Sequence, residues 1–157
     1  MKKTLFVGLM LVVSMTMFAK IVPAGYVNLG LPSGTLWKAE NEQGLYMYGT
    51  AKNLYDGYMP SSEQFRELFS NCSCKWLENG CRVTGPNGNS IFFAYDGFID
   101  CDEEMHDRGE YVQIWLNEEM NSSEARYLYF TKPYKQHNTS FAYKCTRNTV
   151  HLVISGK

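Results

Sequence analysis

Several kinds of chemistry are missing from this chain of 157 residues. Its three histidines, His106, His137 and His151, are scattered, and no Cys-x-x-Cys pair stands near them, so the usual zinc spacings are absent. Lysine and arginine are spread thinly rather than clustered, which removes the electrostatic footprint of a nucleic-acid partner. Serines are common, yet none lies in a Gly-x-Ser-x-Gly nucleophile elbow. There is no internal repeat and no low-complexity linker, so a single domain is expected. Beyond residue 20 no apolar run is long enough to cross a membrane.

What is present begins at the N-terminus. Met1-Lys2-Lys3 precedes an apolar run from Leu5 to Phe18, and Ala19 follows. A charged start, an apolar centre and a small residue at the cut describe a signal peptide over residues 1–19. The expected product is an exported domain over residues 20–157, resident in the periplasm, on the cell surface or released. No cysteine follows the apolar run, so a lipid anchor is not expected. Cleavage removes Lys2 and Lys3 and leaves 13 basic and 16 acidic residues, a net charge of −3. Five cysteines remain: Cys72, Cys74, Cys81, Cys101 and Cys145. Export favours disulfides, and the odd number leaves at least one thiol over. Closeness in sequence makes a short-loop bridge from Cys72 to Cys81 the first expectation. Aromatic residues make up 15% of the chain, which suits a β-rich exported domain.

The stretch Val83 to Phe93, VTGPNGNSIFF, places a knot of Gly, Pro and Asn between two apolar runs. Asn and Gly tolerate positive φ and Pro presets a turn, so the knot predicts a tight hairpin loop. GYVNLGLPSGTLWK predicts two short strands around Pro32-Ser33-Gly34. LYMYGTAKNLYDG predicts a short helix, interrupted at Gly49 and ending near Asp56-Gly57. The clearest helix is MPSSEQFRELFSNC: Ser61 with Gln64 fits a capping box. Phe65, Leu68, Phe69 and Cys72 in that segment form one apolar stripe. YVQIWL, RYLYF, Phe141 to Cys145 and TVHLVI follow as strand runs between polar loops. Two early helices and a later series of antiparallel strands define an α+β class.

GYVNLGLPSGTLW and VTGPNGNSIFF resemble signature segments of a secreted Bacteroidetes family related to the Fibrobacter succinogenes major paralogous domain. GYMPSSEQFRELFSNC resembles the Met-Pro-Thr helix motif of that family, and the matches together cover about Gly25 to Phe93. Beyond Phe93, Tyr95 to Phe98, Ile114 to Glu119, Tyr127 to Phe130 and Thr149 to Val153 correspond to similar strands. The resemblance implies a C-type-lectin-like fold, with two helices, a small antiparallel sheet and a loop-rich face that is often the ligand-binding region. The chain looks like a short, divergent member: Gly57-Tyr58 stand before Met59-Pro60 where relatives have Trp-Arg, and Trp115-Leu116-Asn117-Glu118 replaces a frequent Trp-Ser-Ser-Thr.

Three groupings of side chains bear on function. Cys145 and His151 lie six apart on a strand-like tract, so both could face one side. The acidic loop DCDEEMHD offers carboxylates at Asp100, Asp102, Glu103, Glu104 and Asp107, of which Asp100, Asp102 and Glu103 are a weak candidate calcium set, without the glycine or terminal glutamate of an EF-hand. On RYLYF, alternation puts Tyr127 and Tyr129 on one face and Leu128 and Phe130 on the other. Tyrosine combines an apolar ring with a polar tip, which suits recognition surfaces. The candidate ligand-binding residues are therefore Trp115, Asn117, Glu118, Tyr127, Tyr129 and Tyr134. The expected role is non-enzymatic recognition of a glycan or a surface protein, with no cofactor. The alternatives are a structural subunit of a surface assembly, or a hydrolase using the acidic loop or the Cys–His pair.

Overall fold

The structure, a computed structural model, describes residues 21–156. The signal peptide expected over residues 1–19 lies outside them. Tyr26–Asn28 (β1) and Leu36–Lys38 (β2) form an antiparallel pair around the Pro32-Ser33-Gly34 turn. Tyr46–Met47 (β3) leads into the first helix, Tyr48–Tyr55 (α1), which buries Tyr48 and Ala51. Gly49 lies inside α1 rather than breaking it, and the helix stops at Asp56 with Gly57 at φ 77°. The second helix, Ser62–Asn71 (α2), carries both halves of the capping box: Ser61 accepts from the Gln64 backbone and Gln64 from the Ser61 backbone. Phe65 and Leu68 are fully buried and Phe69 and Cys72 pack beside them, so the stripe read from spacing is the packed face.

Ser73–Trp76 (β4), Gly80–Thr84 (β5) and Ser90–Ala94 (β6) form a meander. The expected hairpin joins β5 to β6, with Thr84 opposite Ser90. Its loop closes through Gly85 N–H to Asn89 O at 2.9 Å and Gly88 N–H to Gly85 O at 3.0 Å. The amides of Asn87 and Asn89 both donate to Asn28 O at 2.8 Å, which staples the loop to β1.

The remaining strands are Phe98–Ile99 (β7), Met105–His106 (β8), Tyr111–Glu119 (β9), Glu124–Thr131 (β10), Gln136–Tyr143 (β11), Arg147–Asn148 (β12) and Val153–Ile154 (β13). They are distributed among small sheets ordered β1-β2-β13, β11-β10-β9 and β3-β12-β7-β8, beside β4-β5-β6. Among the described residues the class is α+β with two helices, as expected, but several small antiparallel sheets replace a single one. TVHLVI is mostly not strand. Thr149 to Leu152 threads through the interior, giving its carbonyls to Trp115, Glu42 and Lys38 N–H groups. The terminal strand is not an exposed edge either: Val150 and Val153 are buried, and the Val153 N–H is held by Tyr58 O at 2.8 Å.

Two apolar clusters hold these layers. One gathers Leu29, Trp37, Phe65, Phe93 and Phe130, with Trp37 and Phe65 ring centres 4.9 Å apart and Phe93 and Phe130 4.7 Å apart. The other gathers Tyr48, Met59, Trp115, Tyr127 and Val150. Removing a ring of this kind costs about 3–5 kcal/mol.

The disulfide differs from the expectation. Cys101 is bonded to Cys145 across a sequence separation of 44, and Cys72, Cys74 and Cys81 are free thiols. The reason is sheet register. Cys72 ends α2, while β4 and β5 place Trp76, not a cysteine, opposite Cys81. Cys81 neighbours Cys74 instead, and the interaction of the two thiols raises the Cys81 pKa and lowers that of Cys74.

Candidate functional site

The N-terminal half of α2 is tied to three distant segments. Glu118, on β9, accepts from Ser62 N at 2.6 Å and Ser62 Oγ at 2.8 Å, and meets Arg126 Nε at 2.9 Å. Glu67 accepts from Ser33 N at 2.7 Å and Ser33 Oγ at 2.6 Å. Gln64 Nε2 donates to Ser155 Oγ at 3.1 Å. The Glu67 and Gln64 bonds border an open groove of about 450 Å³ whose wall is mostly hydroxyl, amide and carboxylate: Ser33, Ser61, Gln64, Glu67, Asn117 and Ser155. Asn117 is fixed by its backbone N–H to Pro60 O at 2.9 Å, and its side chain is exposed. Glu63, in the first turn of α2, is exposed on the same rim.

The other candidate ligand residues fall elsewhere. Trp115 is fully buried and donates Nε1–H to Tyr46 O at 2.8 Å. Tyr127 is 9% exposed and packs in the same cluster. Neither ring presents a face to a ligand, because the β9–β10 face that carries them is covered by α1 and the Val150 tract. Tyr129 is half-buried and stacks on Tyr111 at 5.6 Å. Tyr134 is 75% exposed in the β10–β11 turn, apart from the groove. Glu118 stands behind the groove as a clamp on α2 rather than on its open surface. Of the six, Asn117 alone lines the groove.

The acidic loop is organised around Asp100. Its Oδ1 accepts from Asp102 N at 2.9 Å and Glu104 N at 3.0 Å, and its Oδ2 lies 2.7 Å from His106 Nε2. Hydrogen bonds, led by the Glu104 N–H, hold the Asp100 carboxyl below its usual range. Glu103 pairs outward with Arg147 at 2.9 Å. The donor atoms that converge are those of Asp100, Glu104 and His106, so the expected trio of Asp100, Asp102 and Glu103 does not form a common set. Of the loop's carboxylates, Asp100 is used to fold the loop, and the adjacent Cys101 bond pins it.

The Cys145–His151 pair does not form. Cys145 is in the disulfide, and His151 is fully buried, 2.9 Å from Asn41 Oδ1 and 2.8 Å from Lys38 O. Burial pushes the His151 pKa down to about 3. Both ring partners are acceptors, so a neutral ring lacks one hydrogen bond unless the Asn41 amide turns over and sets its oxygen against Asp96. Asn41 Nδ2 donates to Asp96 Oδ2 at 2.7 Å, at the wall of a second open groove of about 350 Å³ that also has Glu40, Glu42 and Arg108. The imidazole lies behind Asn41 and does not line this groove, so it touches nothing that binds there.

The α2 groove escaped the sequence reading except at Asn117. Ser33, Gln64, Asn117 and Ser155 are spread over more than a hundred positions, and only the Ser61–Gln64 box was a local signal. No family model, no curated protein and no solved structure matches the chain.

Proposed function

We propose that the protein is an exported, non-catalytic recognition domain whose groove at the N-terminal end of α2 receives a glycan. The observation that carries this reading is the groove wall. Planar amides and carboxylates alternate with hydroxyls there, and most are already held by bonds to the scaffold. Such groups match vicinal sugar hydroxyls, and prior fixation lowers the entropy lost on binding. Gly57 supplies a low-relief floor at which a sugar ring can rest, above the buried Met59. Export is supported by residues 1–19 and by the disulfide bond. The C-type-lectin-like assignment, with membership of the secreted Bacteroidetes family, is supported by the Gly25 to Phe93 segments; the stapling of the VTGPNGNSIFF loop onto β1 ties two of those segments into one unit.

A glycan array probed with the full chain, followed by titration calorimetry, tests the reading. Asn117→Ala and Glu63→Gln are expected to weaken binding about tenfold each, the loss of roughly one polar contact. Tyr134→Ala is expected to leave it unchanged. Glycan binding indifferent to both groove substitutions would remove the site, and hydrolysis of a bound glycan would remove the non-catalytic assignment.

A further inference from the structure

The β11 strand, Gln136–Tyr143, is an edge of its sheet, paired with β10 over eight register positions and with no backbone partner on its other side among the described residues. Its sequence, QHNTSFAY, contains no Lys, Arg, Asp, Glu or Pro. Edges are ordinarily guarded by such residues or by bulges, because an open row of N–H and C=O groups templates another strand. The irregularity in this sheet lies between β10 and β9, so it does not guard β11. The Thr139 N–H is held by the neighbouring Asn138 Oδ1 at 2.8 Å, so it faces away from β10, and an added strand takes over that bond from the side chain. Antiparallel alternation then turns the backbone groups of His137, Phe141 and Tyr143 outward as well.

Beside this edge runs a groove of about 390 Å³ between β11 and α2. Half-buried Phe69 and His137 form its accessible apolar floor over the buried Phe65 and Leu128, and Arg66 and Thr139 stand on its rim. The His137 ring lies flat on Phe69, centres 3.7 Å apart, and burial lowers its pKa. Phe141 and Tyr143, 54% and 61% exposed, extend the aromatic surface along the strand. Charge decides the occupant. Arg126, Lys132 and Lys144 are held by Glu118, Glu78 and Glu119. Arg66 is exposed at the groove and makes no ion pair among the described residues.

We propose that the β11–α2 groove is a strand-addition site for an extended, acidic segment of a partner protein. The segment adds to β11 through main-chain hydrogen bonds. Alternate apolar side chains settle on Phe69, His137 and Phe141, and a carboxylate pairs with Arg66. Main-chain bonds supply affinity and the alternate pockets supply selectivity. A guanidinium favours a carboxylate because two parallel N–H donors meet its two oxygens. This site is separate from the polar groove at the N-terminal end of α2 and does not depend on a glycan binding there.

The test uses the full chain and three fluorescein-labelled octapeptides of alternating valine and threonine. The first carries one central Glu, the second carries Lys there, and the third carries Glu with alternate backbone nitrogens methylated. Fluorescence anisotropy is expected to show binding of the first only, with at least about a tenfold loss for the other two. Arg66→Glu is expected to weaken the Glu peptide at least about tenfold and to improve the Lys peptide. Amide NMR shifts on adding the Glu peptide are expected to concentrate in β11 and α2. Equal binding of the methylated peptide, indifference to Arg66→Glu, or shifts confined to other elements overturns the proposal. So does failure of the Glu peptide to bind, or a concentration-dependent dimer that buries β11 against a second copy.

Discussion

Two glycines in the β5–β6 loop do different things. At Gly85 a Cβ would stand 2.1 Å from Leu29 O, so a side chain there pushes the hairpin off the β1 segment. At Gly88 nothing lies within 4 Å, but φ is +87°. Gly85→Ala is therefore expected to destabilise by about 1–3 kcal/mol through a clash, and Gly88→Ala by about 1–2 kcal/mol through left-handed backbone strain. Urea denaturation separates them: both lower the midpoint, but only Gly85→Ala is expected to disturb the amide shifts of Asn28 and Leu29. His151 acts through its protonation. Its folded pKa is depressed from 6.5 to about 3, so the unfolded chain binds a proton that the folded chain refuses. The stability it contributes is complete above pH 6.5 and is lost as pH falls from there toward 3. His137, lowered by burial, acts with the same sign. A pH series of denaturation midpoints is expected to fall through this window, and His151→Gln to flatten the fall; a flat profile in the parent chain would contradict the buried neutral ring.

Among the elements, α2 carries the most consequence, because one helix borders both proposed binding grooves. Its start is set by the Ser61–Gln64 box and reinforced from outside by Glu118 on Ser62. Ser61→Ala is expected to cost about 1 kcal/mol in thermal or chemical unfolding. Because the first turn also bears Glu63, fraying there is expected to weaken glycan binding more than peptide binding, which also rests on β11 and the Phe69 end of the helix. The β9–β10 pair supplies the counterexample. Alternation in RYLYF correctly separates Tyr127 and Tyr129 from Leu128 and Phe130, but both faces pack against other elements and only Tyr129 stays half-buried. Period-two spacing tells which residues share a face and is silent on which face meets solvent.

At the scale of the whole molecule, small sheets built from short strands leave much of the chain in loops, and one covalent link crosses them. Cys101–Cys145 joins the acidic loop to the segment after β11. A loop of that size constrains the unfolded chain by about 4 kcal/mol in the chain-entropy treatment. Cys101→Ser with Cys145→Ser is expected to lower stability by about 2–4 kcal/mol, measured by calorimetry. Cys72→Ser is expected to change little, the reverse of what a Cys72–Cys81 bridge would give.

Local chemistry was enough for what depends on near neighbours. The capping box and stripe of α2, the β5–β6 turn, the β1–β2 pair and the α+β class are all written within spans of a few residues, where side-chain spacing and backbone preference act directly. Tertiary packing alone decided the rest. It chose Cys145 as the partner of Cys101, buried Trp115 and Tyr127, drew Thr149 to Leu152 out of a strand and into the core, and left β11 at an edge. Each outcome depends on which distant surfaces meet, and burying Trp37, Phe65, Phe93 and Phe130 against one another outweighs the local preference of any one segment.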